Sequence, residues 1–594
     1  MSPEQMFSQR LQHFEGIERQ QKRSFDIISN LRLLVFIAGV AAAVLAGYLG
    51  TTLHALSVGL PFLLIFFYFI HRHRQVEIRL TTAQAMVKIN QQYLHRMDGQ
   101  WVEFADQGQD FAQFDHPYSN DLDIFGPKSL FQWVSIAQTY SGRRHLYQLL
   151  AAPPKELDAI LARQQAVSEL AGKLEFCQGL ECRGSMAAEA GRDPEQLIAY
   201  AEETHSVGLF ITIIRFLPLF TAASMVLYFL NWMPLQIPVI LLLLQSLVVL
   251  LTYKKAGAPL KRVFSFQKAL QSYASMLEII EAEPFQDPGL ASLQTELFKQ
   301  SVPASTAMQR LEKISGAIDV NYSMFYLVIN IALLWDIQCT IRLANWKSHY
   351  GKRVGPWLEI IGTLEAWCSL AVINHIHPDW AYPVIEDQGQ KISARGLGHP
   401  LLNPDKCVHN DIDIDNYSYI VTGSNMSGKS TWLRAIGINL VLAYTGGPVC
   451  AEQLRCSIMD LYTSMEIRDD LLEGVSTFYA ELKRINMILE HSRLGKPMLY
   501  LIDEIFRGTN SLDRIAGAQV VLRQLSKNGA IGLISTHDFE LCGLEKEVWA
   551  NFKNYHFEEH YVKGRIEFDY RLRPGRCSTS NARYLMKMVG IDIS

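Results

Sequence analysis

The sequence has no Cys-x-x-Cys pair and no Cys/His cluster at metal-ligand spacing; its 9 cysteines are scattered along 594 residues. That excludes a zinc finger or ribbon and offers no disulfide framework, so the thiols read as reduced and cytoplasmic. Charge is scarce as well. Charged residues make up 19% of the chain against 49% hydrophobic, and a net charge of −4 leaves no global positive field for nucleic acid. Any DNA contact must therefore come from local basic patches. Low-complexity tracts are absent, and so are sequence repeats beyond one duplicated pattern of apolar runs. The chain is long enough for several domains and rather apolar for a wholly soluble one.

The apolar runs come in two pairs. Leu33 to Gly50 and Leu53 to Ile70 carry no charged residue, and each approaches the ~20 residues needed to cross a bilayer. A signal peptide is the competing reading of the first run. The run is long, lies well inside the chain and is followed at once by a second, which together favour a transmembrane hairpin. The segment up to Asn30 is polar and helical in pattern, with Arg19, Lys22 and Arg23 ahead of the first run, while Arg72 and Arg74 follow the second. The joint Thr51-Thr52 has no Lys or Arg, so both ends of the hairpin are expected in the cytoplasm. Leu209 to Leu230 and Leu235 to Leu251 repeat the arrangement, with Asn231 to Pro234 as the uncharged joint and Lys254 and Lys255 just after. Arg215 lies inside the third run; it either snorkels from the cytoplasmic end or marks a late start to the span. A buried soluble helical hairpin is the alternative for this second pair. Tyr322 to Trp335, which contains Asn330 and stops at Asp336, is too short to span comfortably and is expected to be a buried core helix. Pro356 to Ala371 has the periodicity of a buried helix.

The chemistry concentrates further on, in GSNMSGKST, Gly423 to Thr431. A strand is expected over Tyr419 to Thr422 and an apolar-periodic helix from about Thr431, the context a phosphate-binding P-loop requires. Gly423 and Gly428 let the backbone turn, so that N–H groups of Ser424, Asn425, Met426, Ser427 and their neighbours approach phosphate oxygens, aided by the positive end of the helix. Lys429 reaches the β and γ phosphates and Ser430 offers a hydroxyl to Mg²⁺. The required carboxylate is present: Met498 to Ile505, MLYLIDEI, is an apolar run ending in Asp503 and Glu504. Asp503 suits the Mg²⁺ shell and Glu504 suits polarising the attacking water; the competing reading is a solvated strand end. A third strand, Ala530 to Thr536, ends at His537, which at the carboxyl end of a parallel strand points toward the ligand crevice and suits sensing of the γ-phosphate.

Four stretches, GSNMSGKST, EGVSTFYAELKRINMIL (Glu473 to Leu489), LYLIDEIFRGTNSLDR (Leu499 to Arg514) and STHDFEL (Ser535 to Leu541), resemble in order and spacing the ATPase domain of the MutS mismatch-repair family. The resemblance implies ATP and Mg²⁺ as cofactors, a homodimer through the ATPase domain, and Ser476 offered to the nucleotide of the other subunit. Arg395 to Leu402 and Cys407 to Asp411 look like the stretch of the family where an aromatic and an aliphatic residue flank the adenine. Cys407 stands where the aromatic is usual, which leaves Val408 as the base contact. Gly575 to Ile591 resembles the family's closing ATPase segment. A weaker resemblance, to the family's helical core, rests on Thr139, Gly142, Arg143, Pro153, Arg163 and Gln164; for these residues the expected work is helix packing and capping. Before Asp121 there is no Gly-x-Phe-x-Glu, the motif with which the family wedges a mismatch, and Phe104-Ala105-Asp106 reads as solvated helix or loop.

The expected fold is an α/β P-loop ATPase domain at the C-terminal end, preceded by an all-α core with two transmembrane helical hairpins. In segments, 1–30 is a cytoplasmic N-terminal helix, 31–72 the first hairpin, 73–206 the first part of the helical core, 207–253 the second hairpin, 254–387 the second part of the core and 388–594 the ATPase domain. The expected protein is multi-pass in the cell membrane with its N-terminus, core and ATPase domain cytoplasmic. Its partners are the lipid bilayer and a second copy, with double-stranded DNA, bound without reading mismatches, inherited from the resemblance alone. A nucleotide-switched membrane scaffold and an ABC-type transporter are the rivals. Against the transporter stand the long helical core between spans and ATPase and EGVSTF in place of an LSGGQ-type loop.

Overall fold

The computed structural model describes residues 1–577 except 51, 112–114, 187–192, 204–207, 301, 318–325, 425, 466–476, 508, 548, 550 and 563–564. Two compact units emerge: one of Met1–Leu94, Ile136–Arg143 and Lys173–Glu365, the other of His95–Ser135, Arg144–Gly172 and Ala366–Ser594.

The first unit is helical. Ser2 caps its first helix through a reciprocal pair with Gln5, and Pro3 sits at the first turn, where its missing N–H costs nothing. That helix then runs without a break from Pro3 to Leu49, so the polar N-terminal segment and the first apolar run form one rod. A second rod, Thr52–Asp98, carries the second apolar run. Ring contacts fix an antiparallel register, Phe7 with Tyr93 at 4.6 Å, Phe25 with His73 at 4.3 Å and Phe36 with Phe66 at 5.6 Å. Gly39 permits the close crossing, because a Cβ there would lie 2.8 Å from that of Phe62. Outward, Leu34, Val44, Leu64 and Phe67 are exposed. Both rods are long and apolar enough to cross a membrane.

The second apolar pair folds as Leu209–Ile214, Leu217–Phe229 and Gln236–Phe264. The third run is thus interrupted at Arg215 and Phe216, just before Pro218, which cannot continue the preceding hydrogen-bond ladder. Arg215 stacks its guanidinium 4.6 Å from the Phe216 ring and its carbonyl accepts from Gln338. Ile211–Phe229 still has the length and hydropathy of a span, and Leu219, Phe220, Leu243, Leu250 and Leu251 are exposed. Val248 and Val249 turn the other way, into a cluster with Leu334, Ile337 and Ile341.

The expectation of a buried core helix near residue 326 is overturned. The described part, Tyr326–Leu333, exposes Leu327, Val328 and Leu333 and buries only Asn330. The polar residue sets this orientation: Asn330 donates to the buried Asp336 carboxylate at 3.0 Å, which also accepts from the Tyr326 hydroxyl at 2.5 Å. Leu334, in the left-handed region at φ 47, ends the helix. By contrast Val354–Ile376 is the buried helix its periodicity announces, with Trp357, Ile361 and Leu364 nearly inaccessible.

The second unit is α/β. A six-stranded sheet has the order β10-β9-β4-β8-β7-β6, where β4 is Ser418–Thr422, β6 Asp460–Ser464, β7 Met498–Asp503, β8 Ile531–Thr536, β9 Phe552–Val562 and β10 Arg565–Pro574. All neighbours are parallel except the antiparallel edge strand β10. Every residue of β4, β7 and β8 is buried, as a parallel sheet covered on both faces demands. The helices Thr477–Ser492 and Ser511–Lys527 supply Ile485, Ile488, Ala518, Leu522 and Leu525 to a core with Tyr500, Ile502 and Ile534 of the sheet. A smaller sheet, β1-β5-β2-β3, comprises Val384–Glu386, Gln453–Ser457, Lys391–Leu397 and Asn410–Asp415. The helix Lys429–Thr445 is buried along nearly its whole length. Arg163 finishes that helix, its guanidinium donating to the carbonyls of Tyr444 and Thr445, and Gln164 donates to Pro383. Packing and capping are the roles expected of both.

Candidate functional site

Three neighbouring strands end level. Thr422 of β4 pairs with Thr536 of β8, and Asp503 of β7 pairs with Ser535 of β8. The residues that follow these ends, Gly423, Glu504 and His537, therefore meet at one edge, where open α/β sheets bind ligands. From β4 the chain passes through Gly423–Gly428 into the helix that starts at Lys429. Gly428 has φ +99 and Met426 φ +70, left-handed backbone that glycine adopts freely and methionine does not. Met426 is exposed and Thr431 lies in the first turn of the helix, which starts two residues before the expected position, while Ser427 buries a hydroxyl that has no partner among the described residues. Asn425 lies outside the described residues.

Lys429 is buried, and its ammonium donates to the carbonyls of Gly423 and Ser424, each at 3.0 Å. Burial holds it below the ordinary lysine value, against the opposing pull of Glu504 and Asp503. Ser424 donates to Glu559 at 2.7 Å. Beneath the loop the Ser430 hydroxyl donates to Asp503 Oδ2 at 2.6 Å; Arg507 and the Ser535 hydroxyl complete that carboxylate's partners. A hydroxyl and a carboxylate side by side, with a phosphate-type loop above, form the hard oxygen pair that suits Mg²⁺, which takes few protein ligands and fills its shell with phosphate and water.

Glu504 sits at φ 54 and Phe506 at φ 59, so the turn after β7 is strained. Glu481 holds it by accepting the Phe506 backbone N–H. The Glu504 carboxylate lies 2.8 Å from His537 Nε2 and 3.0 Å from Arg507 Nε. The His537 hydrogen bond, joined by Arg507, keeps Glu504 below the usual carboxylate range in spite of its partial burial. Lys429 Nζ is 3.4 Å from the same His537 nitrogen. One ring nitrogen cannot both donate to Glu504 and accept from Lys429, and the shorter contact makes it the donor to Glu504.

In front of these groups opens a cavity of about 1010 Å³. Ser427 to Thr431 and Glu504 line one side; Cys407 and Val408 line another. The constellation can hold a polyphosphate at the loop, a divalent cation at Ser430 and Asp503, and a water beside Glu504. Ser476 lies outside the described residues, as does the closing segment from residue 578. Sequence reasoning missed Arg507, Glu481 and the cavity aromatics Phe568 and Tyr570. Arg507 follows two acids at i+3 and i+4, a spacing that could have drawn notice; the backbone contact of Glu481 and the aim of Tyr570 leave no sequence signal.

Comparison with known proteins gives a match between residues 419–592 and the family model described as MutS domain V. The chain is 32% identical over 245 residues to the DNA mismatch repair protein MutS of Aquifex pyrophilus, covering 40% of this chain and 28% of that protein. It is 34% identical over 239 residues to the protein of the same name from Thermus aquaticus, covering 39% and 28%. The chain thus spans less than a third of the length of the curated relatives it matches.

Proposed function

The C-terminal part of this chain belongs to the MutS family, and from that premise we propose that the protein is a membrane-anchored, Mg²⁺-dependent ATPase that works as a homodimer. One observation carries the reading: Lys429, the Ser430–Asp503 pair and the Glu504–His537 pair converge at the level ends of three parallel strands. Lys429 and the loop amides hold the β and γ phosphates of ATP. Ser430 and Asp503 hold Mg²⁺, which when bound draws charge from the phosphate oxygens. Glu504, ionised and oriented by His537 and Arg507, accepts the proton of the attacking water. His537, bonded to Glu504 and beside Lys429, registers whether the γ-phosphate is present. Val408 flanks the base, and Ser476 reaches the partner's nucleotide, an assignment that rests on family resemblance. Hydrolysis in this shared site switches the helical core between arrangements.

The anchoring is supported by two pairs of apolar helices, most of whose large apolar side chains are exposed, Val248 and Val249 excepted. Both hairpins keep their ends in the cytoplasm. The relatives' name brings in DNA, and we extend the proposal to double-stranded DNA held through phosphate contacts without mismatch reading.

The test is phosphate release by detergent-solubilised protein. Lys429→Ala is expected to abolish Mg²⁺-dependent turnover. Mixing Lys429→Ala chains with Ser476→Arg chains should restore part of it, because one composite site per heterodimer is then intact. Wild-type turnover by Lys429→Ala would remove the ATPase reading; a mixture that forms heterodimers yet stays inactive would remove the shared site alone.

A further inference from the structure

Among the 9 cysteines Cys407 alone is not buried, and it lines the cavity in front of the phosphate loop. Its sulfur is held from the inner side. The His399 N–H donates to Cys407 Sγ at 3.3 Å, and the same sulfur lies 2.9 Å from where a Cβ on Gly398 would stand. His409 Nε2 lies 2.8 Å from that point as well. Only a glycine at 398 leaves room for the Cys407 sulfur and the imidazole beside it. A second thiol sits behind them. Cys450 is buried and takes no part in the cavity wall. The buried Asn439 ties its segment to the first, donating to the Gly398 carbonyl at 2.9 Å and accepting the Cys450 N–H at 2.7 Å, while Gly398 N–H donates to the Cys450 carbonyl at 2.8 Å. So placed, the Cys450 S–H donates to Cys407 Sγ.

The Cys450 S–H, helped by the His399 N–H and by His409, holds the Cys407 thiol below the ordinary thiol value in spite of its partial burial. Cys450, which gives that bond to Cys407 and is buried, is pushed up. A half-buried sulfur that favours its thiolate, open to a cavity and backed by a protonated thiol, is the arrangement of a peroxide-reactive cysteine and its resolving partner. We propose that Cys407 and Cys450 form a reversible disulfide under hydrogen peroxide, and that this bond shuts off ATP binding in the cavity that Cys407 lines. The Cys407 sulfur attacks peroxide: an S–O bond forms, the O–O bond breaks, and hydroxide leaves, taking up the proton Cys407 had released. The Cys450 sulfur then displaces that oxygen: an S–S bond forms, the S–O bond breaks, and water leaves with the Cys450 proton. Two thiols lose two electrons and one peroxide becomes two waters. The thiolate charge that had kept Cys450 protonated is gone by the second step. A covalent S–S bond is far shorter than a thiol hydrogen bond, so closing it draws Cys407 inward and carries the adjoining Val408 wall with it. Transient cytoplasmic disulfides of this kind serve sensing. The effect on ATP rests on the nucleotide reading above; the thiol chemistry does not.

The experiment takes full-length, detergent-solubilised protein through three states: reduced, treated with hydrogen peroxide, and treated then re-reduced with dithiothreitol. Peptide mass mapping without reductant reads the disulfide, and equilibrium binding reads ATP affinity. A Cys407–Cys450 linkage is expected in the peroxide state only, with ATP binding lost as it forms and regained on re-reduction. Cys450→Ser keeps a donor behind Cys407 and lies off the cavity, so in the reduced state it should bind ATP as the wild type does. Under peroxide it should form no linkage, hold a sulfenic acid at Cys407 that dimedone labels, and retain ATP binding. Cys407→Ser should give neither linkage nor label. Peroxide-treated wild type without a Cys407–Cys450 linkage would overturn the proposal, and so would a linkage that leaves ATP affinity unchanged or an equal loss of ATP binding in Cys450→Ser. Reduced wild type that binds no ATP would remove the nucleotide site and the control of it together, while the mass map still decides the thiol pair.

Discussion

Glu365 shows how far one buried residue can be read. Its carboxylate accepts from the backbone N–H groups of Gln138 and Thr139 and from the Thr139 hydroxyl. Burial outweighs those bonds and pushes its pKa from 4.5 up to about 7. Between these values the folded chain holds a proton that the unfolded chain has released. The stabilisation from this group is therefore complete below the unfolded value and is lost as pH rises through about 7. Glu365→Gln keeps the acceptor and imitates the protonated acid, so its melting temperature should match wild type at about pH 4 and exceed it at about pH 8. A difference that does not change with pH would show that Glu365 does not titrate in this range. Thr139 drew notice only within the stretch that resembles the family's helical core, as a residue for packing and capping, and its hydroxyl accepts the Gly142 N–H at 3.0 Å. Glu365, more than two hundred positions along the chain, was not legible as its partner, because nothing local announces a contact at such separation.

At the scale of elements, the parallel strands β4, β7 and β8 were readable because burial on both faces turns each into an unbroken apolar run. The small sheet was not. Its strands alternate buried and exposed residues over short lengths, and β1 pairs with β5 about seventy positions away. Tyr326–Leu333 misled for a different reason: its apolar content is real, but the Asn330–Asp336 pairing turns that content outward. The same outward exposure, repeated along both hairpins, carries the topological prediction. In a background without native cysteines, a cysteine at Thr52 or Asn231 should react with an impermeant thiol reagent added to intact cells, and one at Lys255 should not. Labelling at Asn231 only after lysis would mean that the second hairpin does not span.

For the whole molecule, the family match covers residues 419–592 and leaves the helical unit to be judged on its own residues. A duplex held there would be gripped by Lys and Arg at its phosphates, since mismatch reading needs a wedge that unstacks a base step and the region before Asp121 lacks the family's motif. Titrating homoduplex against single-mismatch DNA at two salt concentrations should give affinities that fall steeply with salt and ignore pairing. A tenfold mismatch preference, about 1.4 kcal/mol, would contradict this. The central claim, however, is that ATP is cleaved by a water that Glu504 activates. Its most direct test is to measure ATP binding and Mg²⁺-dependent phosphate release side by side for the wild type and Glu504→Gln. Full binding with release slowed by roughly a hundredfold or more, and a nucleotide-trapped dimer, is the result expected; phosphate release by Glu504→Gln at the wild-type rate would contradict it.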